Sequence, residues 1–284
     1  MTPTSLTVTV VVTLVVLGAG VLHATWNAMA KSFPDQWVSF TLLNIGVAVP
    51  SLIALPIVGV PRWAAWGYLS AAVGCHLLYE LFLMAAYRHG TLSSSYPIAR
   101  GVAPMLTTLG GLVFASERVT GLALAGVVVV VAGISSLALF DRAATTSRAV
   151  GWALLTGVAI AIYTVIDGLG VRVSHHALAY TVTLFSIQAT LFVGGSLLRR
   201  PTGWWPAPKK FLFGVAAGVL SLVGYGAVLW AQVRAPLGVV SALRETGVIW
   251  AAIIGVVLFK ERGGWRVVVA SATVLSGVVC IALA

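Results

Sequence analysis

Apolar runs of about twenty residues follow one another along this chain, separated by short polar stretches. A helix needs roughly 20 apolar residues to cross about 30 Å of hydrocarbon. By that measure the pattern predicts ten spanning helices, near 7–30, 36–59, 64–87, 91–115, 119–140, 149–171, 177–198, 210–232, 236–259 and 265–284. The connections leave no room for a soluble domain, so any chemistry has to be done inside the bundle. The first run lacks a positive leading region and continues through His23, Trp26 and Asn27 to Lys31, so it is expected to remain as a helix and not to be removed as a signal peptide.

The pattern also repeats. Residues 92–118 align without a gap on 236–262, so that Arg100 matches Arg244, Gly111 matches Gly255, Glu117 matches Glu261 and Arg118 matches Arg262. This divides the chain into a first five-helix repeat at 1–140, a polar loop at 141–148 and a second five-helix repeat at 149–284. Five crossings per half is an odd number, so the second half enters from the opposite side. The expected fold is an all-α integral membrane protein of ten transmembrane helices, built as two inverted five-helix repeats. Such repeats place a binding site near the midplane and supply two related half-gates for alternating access.

Composition narrows the class further. With 60% hydrophobic and 8% charged residues and a mean hydropathy of +1.03, a soluble globule is excluded. The net charge of +10 does not imply nucleic acid, because most cations fall in short loops, where anionic lipid headgroups attract them. Lys31, Arg88, Arg142, Arg148, Arg199, Arg200, Lys209, Lys210, Lys260, Arg262 and Arg266 are assigned to one face, against Arg62, Arg118, Arg172 and Arg234 on the other. The richer face is expected to be cytoplasmic, which puts both termini outside a cell membrane. The segment 199–210, with Trp204 and Trp205 among four cations, reads as a headgroup anchor. Cys75 and Cys280 lie within spans and lack metal-ligand spacing. No nucleophile elbow, zinc motif, phosphate loop or dinucleotide fingerprint is present, so no cofactor, metal or enzymatic activity is expected.

Charges inside the spans are the functional suspects. A guanidinium at the bilayer centre costs roughly 2.5 to 3.5 kcal/mol on insertion scales. Arg100 is about 13 Å into its helix, too deep to reach an interface. Two readings are open for Arg100 and Arg244. Each is neutralised locally, by Glu245 or by carbonyls freed near Pro97 and Pro104, or the two form a fork for a phosphate, phosphonate, sulfonate or carboxylate. His76, Glu80 and Tyr87 share one side of the third helix, and either Glu80 with His76 is a proton-coupling candidate or a neutral Glu80 bonds to a neighbouring helix. Asp167 is read as pairing with Arg172 near an interface or else as part of a site, and Glu245 is expected to face a different neighbour from Arg244. His23, Trp26 and Asn27 either shape a cavity or hold helices together. Asn44, Gln188 and Gln232 are read as interhelical glue, and the Glu117–Arg118 and Glu261–Arg262 doublets as ion pairs at helix ends.

The strings HATWNAMAKS (23–32), AYRHGTLSSSYPIARGVAP (86–104), FASER (114–118), YTVIDGLGVR (163–172) and ALRETGVIWAAIIGVVLFKER (242–262) resemble the drug/metabolite transporter superfamily, specifically its ten-helix EamA-type permeases. The resemblance covers the whole chain. It implies two inverted repeats and export of small metabolites such as amino acids and their analogues. Relatives are drawn with both termini cytoplasmic, opposite to the charge count. Cation exporters of the superfamily depend on a membrane carboxylate, here Glu80, and phosphate-carrying relatives on basic cavity residues, here Arg100 and Arg244. The expectation is therefore a secondary transporter exporting a small anionic or zwitterionic metabolite such as an amino acid, phosphonate or related organic acid. Arg100, Arg244, His23, Trp26, Asn27 and Tyr96 are the expected substrate contacts, in a monomer or homodimer. The alternatives are a proton-coupled exporter of lipophilic cations, a lipid-headgroup flippase and a non-transporting membrane subunit.

Overall fold

The computed structural model describes residues 3–90, 92–140, 146–199, 206–258 and 265–283, and its described residues are almost entirely helical. The helices are α1 (Pro3–Lys31), α2 (Gln36–Val58), α3 (Trp66–His89, preceded by a single 3₁₀ turn), α4 (Leu92–Phe114), α5 (Gly121–Phe140), α6 (Ser147–Ser174), α7 (Ala177–Arg199), α8 (Pro208–Gln232), α9 (Leu237–Arg244), α10 (Gly247–Leu258) and α11 (Trp265–Ala282). Among the described residues, α1, α2, α3, α6, α7 and α8 contain stretches long and apolar enough to cross a membrane, and 98–114, 121–136 and 269–281 are shorter apolar helices. Most boundaries fall within a few residues of those read from hydropathy.

The bundle buries polar and charged side chains within a largely apolar core and turns large apolar ones outward. Asn27, Asn44, Asp167, Arg244 and Glu245 are fully buried, whereas Ile57, Trp63, Phe114 and Leu198 are 70–88% exposed. Outward apolar side chains of this size are stable only against lipid, so this is a multi-pass membrane protein.

Packing pairs helices across the middle of the sequence. α1 packs on α8, α2 on α7, α3 on α6 and α5 on α11. α4 packs on α6, and the α9–α10 segment packs on α1.

One predicted helix is broken. The span expected at 236–259 stops at Arg244 and restarts at Gly247. Shorter hydrogen bonds close the break: Thr246 N to Leu243 O (3.2 Å), Val248 N to Glu245 O (3.0 Å) and Ile249 N to Thr246 O (3.0 Å). Irregular backbone at this depth is tolerated only where protein covers it. Here α1 supplies the cover, because Gly20 has no side chain: a methyl there would stand 2.8 Å from Arg244 O and 3.1 Å from Gly247 N.

Candidate functional site

The break between α9 and α10 brings the buried charges together. Arg100 on α4 donates from Nη1 to Glu245 Oε1 at 3.2 Å. Arg244, the last residue of α9, donates to the same oxygen from Nε (3.1 Å) and Nη2 (3.0 Å). All three residues are between 1% and 3% exposed. The expectation that Glu245 would turn away from Arg244 assumed a continuous helix. Glu245 instead is the C-cap of α9, still close to helical in its backbone, and the long Arg244 side chain reaches its carboxylate. Two guanidinia thus share one carboxylate, leaving one net positive charge. Arg244 Nη1 is buried and finds no hydrogen-bond partner among the described residues.

A second donor lies nearby. His23 is one turn beyond Gly20 on α1, the helix packed against the break, and is within electrostatic reach of both arginines. Trp26 Nε1 donates to His23 Nδ1 at 2.8 Å. An indole N–H can only donate, so His23 Nδ1 carries no proton and the ring is the neutral Nε2–H tautomer. That Nε2–H is buried and, like Arg244 Nη1, has no partner among the described residues. Trp26 and Asn27 on the same helix are spent: Trp26 holds His23, and Asn27 donates to His23 O (2.7 Å) and accepts from Tyr87 OH (2.8 Å).

Asp167 occupies a place different from that expected. It does not pair with Arg172; its carboxylate is fully buried and bonded to His76 Nε2 on α3 (2.8 Å), Tyr180 OH on α7 (3.0 Å) and Tyr225 OH on α8 (2.6 Å). The reason is rotational: Asp167 and Tyr163, one turn apart on α6, share the face that meets α3 and α8. Tyr163 stacks on His76 at 4.1 Å between centroids, and Tyr79, Phe185 and Tyr225 close rings around it.

His76 and Glu80 are both buried on α3 but answer to different neighbours. Glu80 receives Asn44 Nδ2 from α2 (3.1 and 3.2 Å) and Gln188 Nε2 from α7 (3.0 Å). The polar residues read as glue therefore clasp a carboxylate. Among the described residues no three His, Cys, Asp or Glu side chains converge to hold a metal.

Two cations cap helix ends. Lys31, at the end of α1, donates to the carbonyls of Tyr87 and, at 2.9 Å, Gly90, at the end of α3. Arg172, in the last turns of α6, donates to Gln232 O (2.8 Å) and Ala235 O (3.1 Å), at the end of α8. Arg172 also holds Glu117, which was expected to pair with Arg118; Arg118 is exposed instead. A left-handed Ser116 (φ 50°) reverses the chain after α4, and Glu117 Oε2 then accepts Leu237 N at 2.9 Å. Gly111 leaves the space for this, since a methyl there would overlap Glu117 Oε2. The glycine–glutamate spacing noticed in the sequence has a steric cause in the first half. Its second-half counterpart, Glu261 with Arg262, lies outside the described residues, as do Trp204, Trp205 and the side chain of Tyr96.

Sequence reasoning passed over Tyr163, Tyr180 and Tyr225. Tyr163 carried a usable signal, four residues before Asp167 in YTVID. Tyr180 and Tyr225 come from other helices, and nothing local marks them.

Comparisons with known proteins agree with this architecture. A protein of known crystal structure, 20% identical, superposes with a TM-score of 0.73 over 96% of this chain and 98% of its own, so the fold is one already seen. No curated protein matches the sequence. The model of the EamA-like transporter family, part of the drug/metabolite transporter superfamily, matches residues 147–283, so the second half of the chain is similar to that family.

Proposed function

We propose that the protein is a secondary transporter that exports a small anionic or zwitterionic metabolite across the cell membrane by alternating access. The observation that carries this reading is a buried site whose unsatisfied polar atoms are donors. Arg244 Nη1 and His23 Nε2 offer N–H groups with no acceptor among the described residues, beside a net positive charge. Burying unpaired donors is costly unless a ligand completes them, and a carboxylate, phosphonate or sulfonate oxygen is the matching group. Arg100 sets the charge from α4, Trp26 fixes the His23 tautomer, and Asn27 braces α1 against α3. Tyr96 remains a proposed contact through its position on α4.

Two inverted repeats of five helices are the architecture behind the alternation, with α9 and α10 together forming one span. The cross-half packing supports it: exchanging α1 with α6 and α3 with α8 converts the α1–α8 pair into the α6–α3 pair. The caps support it too. Lys31 reaches the carbonyls of residues 87 and 90, and Arg172 those of 232 and 235, each pair offset by 145. Thr146, at the start of α6, bonds to His89 O, so the Lys31 cap lies by one end of α6 and the Arg172 cap at the other, about 38 Å away at 1.5 Å per residue. We assign these caps to the two opposite gates.

The test is a thermal-stability scan of purified protein against carboxylates, phosphonates, sulfonates, amino acids and lipophilic cations, repeated with Arg244→Lys, which keeps the charge and removes the fork. Stabilisation by one anionic class, lost in the variant, supports the reading. Stabilisation by cations alone, unchanged in Arg244→Lys, favours the cation exporter with Glu80 as its carboxylate.

A further inference from the structure

The charges around the arginines call for a second, smaller ligand. Arg100, Arg244 and Glu245 sum to one positive charge. Asp167 is a fully buried carboxyl group bonded to His76 Nε2 and to two phenols. A chain of rings joins the two centres: Tyr225, whose hydroxyl bonds Asp167, lies 6.4 Å from His23 and 5.3 Å from His76 between ring centroids. These two centres balance in the empty protein when His76 is neutral and Asp167 is ionised, the starting state of the proposal below. A monoanion on Arg244 and His23 leaves one negative charge unmatched among buried helices.

The His76–Asp167 pair can remove that imbalance without rearranging. His76 Nε2 already faces Asp167 Oδ2, so a proton added at Nδ1 gives an imidazolium–carboxylate pair with the same hydrogen bonds. We propose that the pair is the proton-coupling site and that one proton is carried with each monoanion. The proton is taken from water onto His76 Nδ1 when the anion binds and is released to water when the anion leaves. This rests on the arginines and His23 forming the anion site.

Other titratable groups surround the pair. They are Cys75, Tyr79 and Glu80 on α3, Tyr163 on α6, Tyr180 on α7, Tyr225 on α8, Arg100 on α4, Arg244 and Glu245 at the broken span, and His23 on α1. Glu80 is the rival coupling group, but its oxygens are held by neutral amides from α2 and α7, with no hydrogen bond to the pair or the arginines.

Proton uptake is measured with a pH-indicating dye in weakly buffered detergent solution. The probe is whichever anion of the panel stabilises the wild type, and its affinity is also measured across pH. Charges on the order of 10 Å apart at an effective dielectric of about 20 couple by about tenfold, and the coupling is reciprocal. The wild type is expected to take up a proton on binding and to bind about tenfold more tightly in acid than in base. Asp167→Asn is expected to bind at least as tightly as the wild type in acid, with no uptake and no pH dependence. His76→Gln, which retains Asp167 and its tyrosines, is expected to lose uptake and serves where Asp167→Asn does not fold. Glu80→Gln is expected to keep wild-type coupling. Anion binding to the wild type without uptake overturns the proposal, as does undiminished uptake in Asp167→Asn or His76→Gln, or uptake lost only in Glu80→Gln. If no anion binds the wild type, the anion reading itself fails.

Discussion

Glu245→Gln changes one atom of the site and tests its electrostatics. Glu245 Oε1 is the shared acceptor for three guanidinium N–H groups at 3.0–3.2 Å, and its side chain is 1% exposed. Glutamine keeps the shape and removes the negative charge, leaving Arg100 and Arg244 facing each other as two buried cations. Removing one partner of a buried pair typically destabilises by about 3–5 kcal/mol. For a chain of this size that lowers the melting temperature by on the order of 10 °C. If the guanidinia form an anion site, a free anion replaces the missing carboxylate, and at 100 times its dissociation constant it restores about 2.7 kcal/mol. Melting curves in detergent, with and without acetate or methylphosphonate, read both effects. The variant should lose stability and recover more with anion than the wild type gains. A variant within about 1 kcal/mol of wild type, or one that melts early and ignores anions, refutes the reasoning.

Trp26→Phe removes the N–H that fixes His23, a hydrogen bond of about 1 kcal/mol, so anion affinity should fall several-fold in ligand titrations while the fold persists. Gly111→Ala should destabilise by about 1–3 kcal/mol because the methyl overlaps Glu117. Gly151→Ala, in open space on α6, should change melting by no more than about 1 kcal/mol. Lys31→Met and Arg172→Met should each expose reporter cysteines to an impermeant maleimide from a different side of sealed vesicles; exposure from the same side would contradict the assignment of the caps to opposite gates.

Helix positions were legible because hydrocarbon thickness imposes a length that composition alone reveals. The 236–259 break was not, since Arg244, Glu245 and Thr246 are ordinary helix residues; what stabilises the break is tertiary, above all the bare backbone at Gly20. The partners of Asp167 were misread for a related reason. Arg172 is near it in sequence, but the face of α6 that carries Asp167 turns toward His76 on α3 and Tyr225 on α8. Arg100 and Arg244 could be picked out in the sequence because an isolated guanidinium in an apolar run has few tolerable fates. Their sharing of Glu245 depended on the break.

The most direct test of the anion site is exchange in vesicles reconstituted with the purified protein. Vesicles loaded with one anionic or zwitterionic metabolite at a time are given its labelled form outside, for the wild type and for Arg244→Lys, with a lipophilic cation in parallel. The account predicts that one anionic class exchanges in the wild type, falls about a hundredfold or more in Arg244→Lys through loss of the buried bidentate contact, and that the cation does not move. Exchange of the cation alone, at equal rates in both proteins, would contradict it.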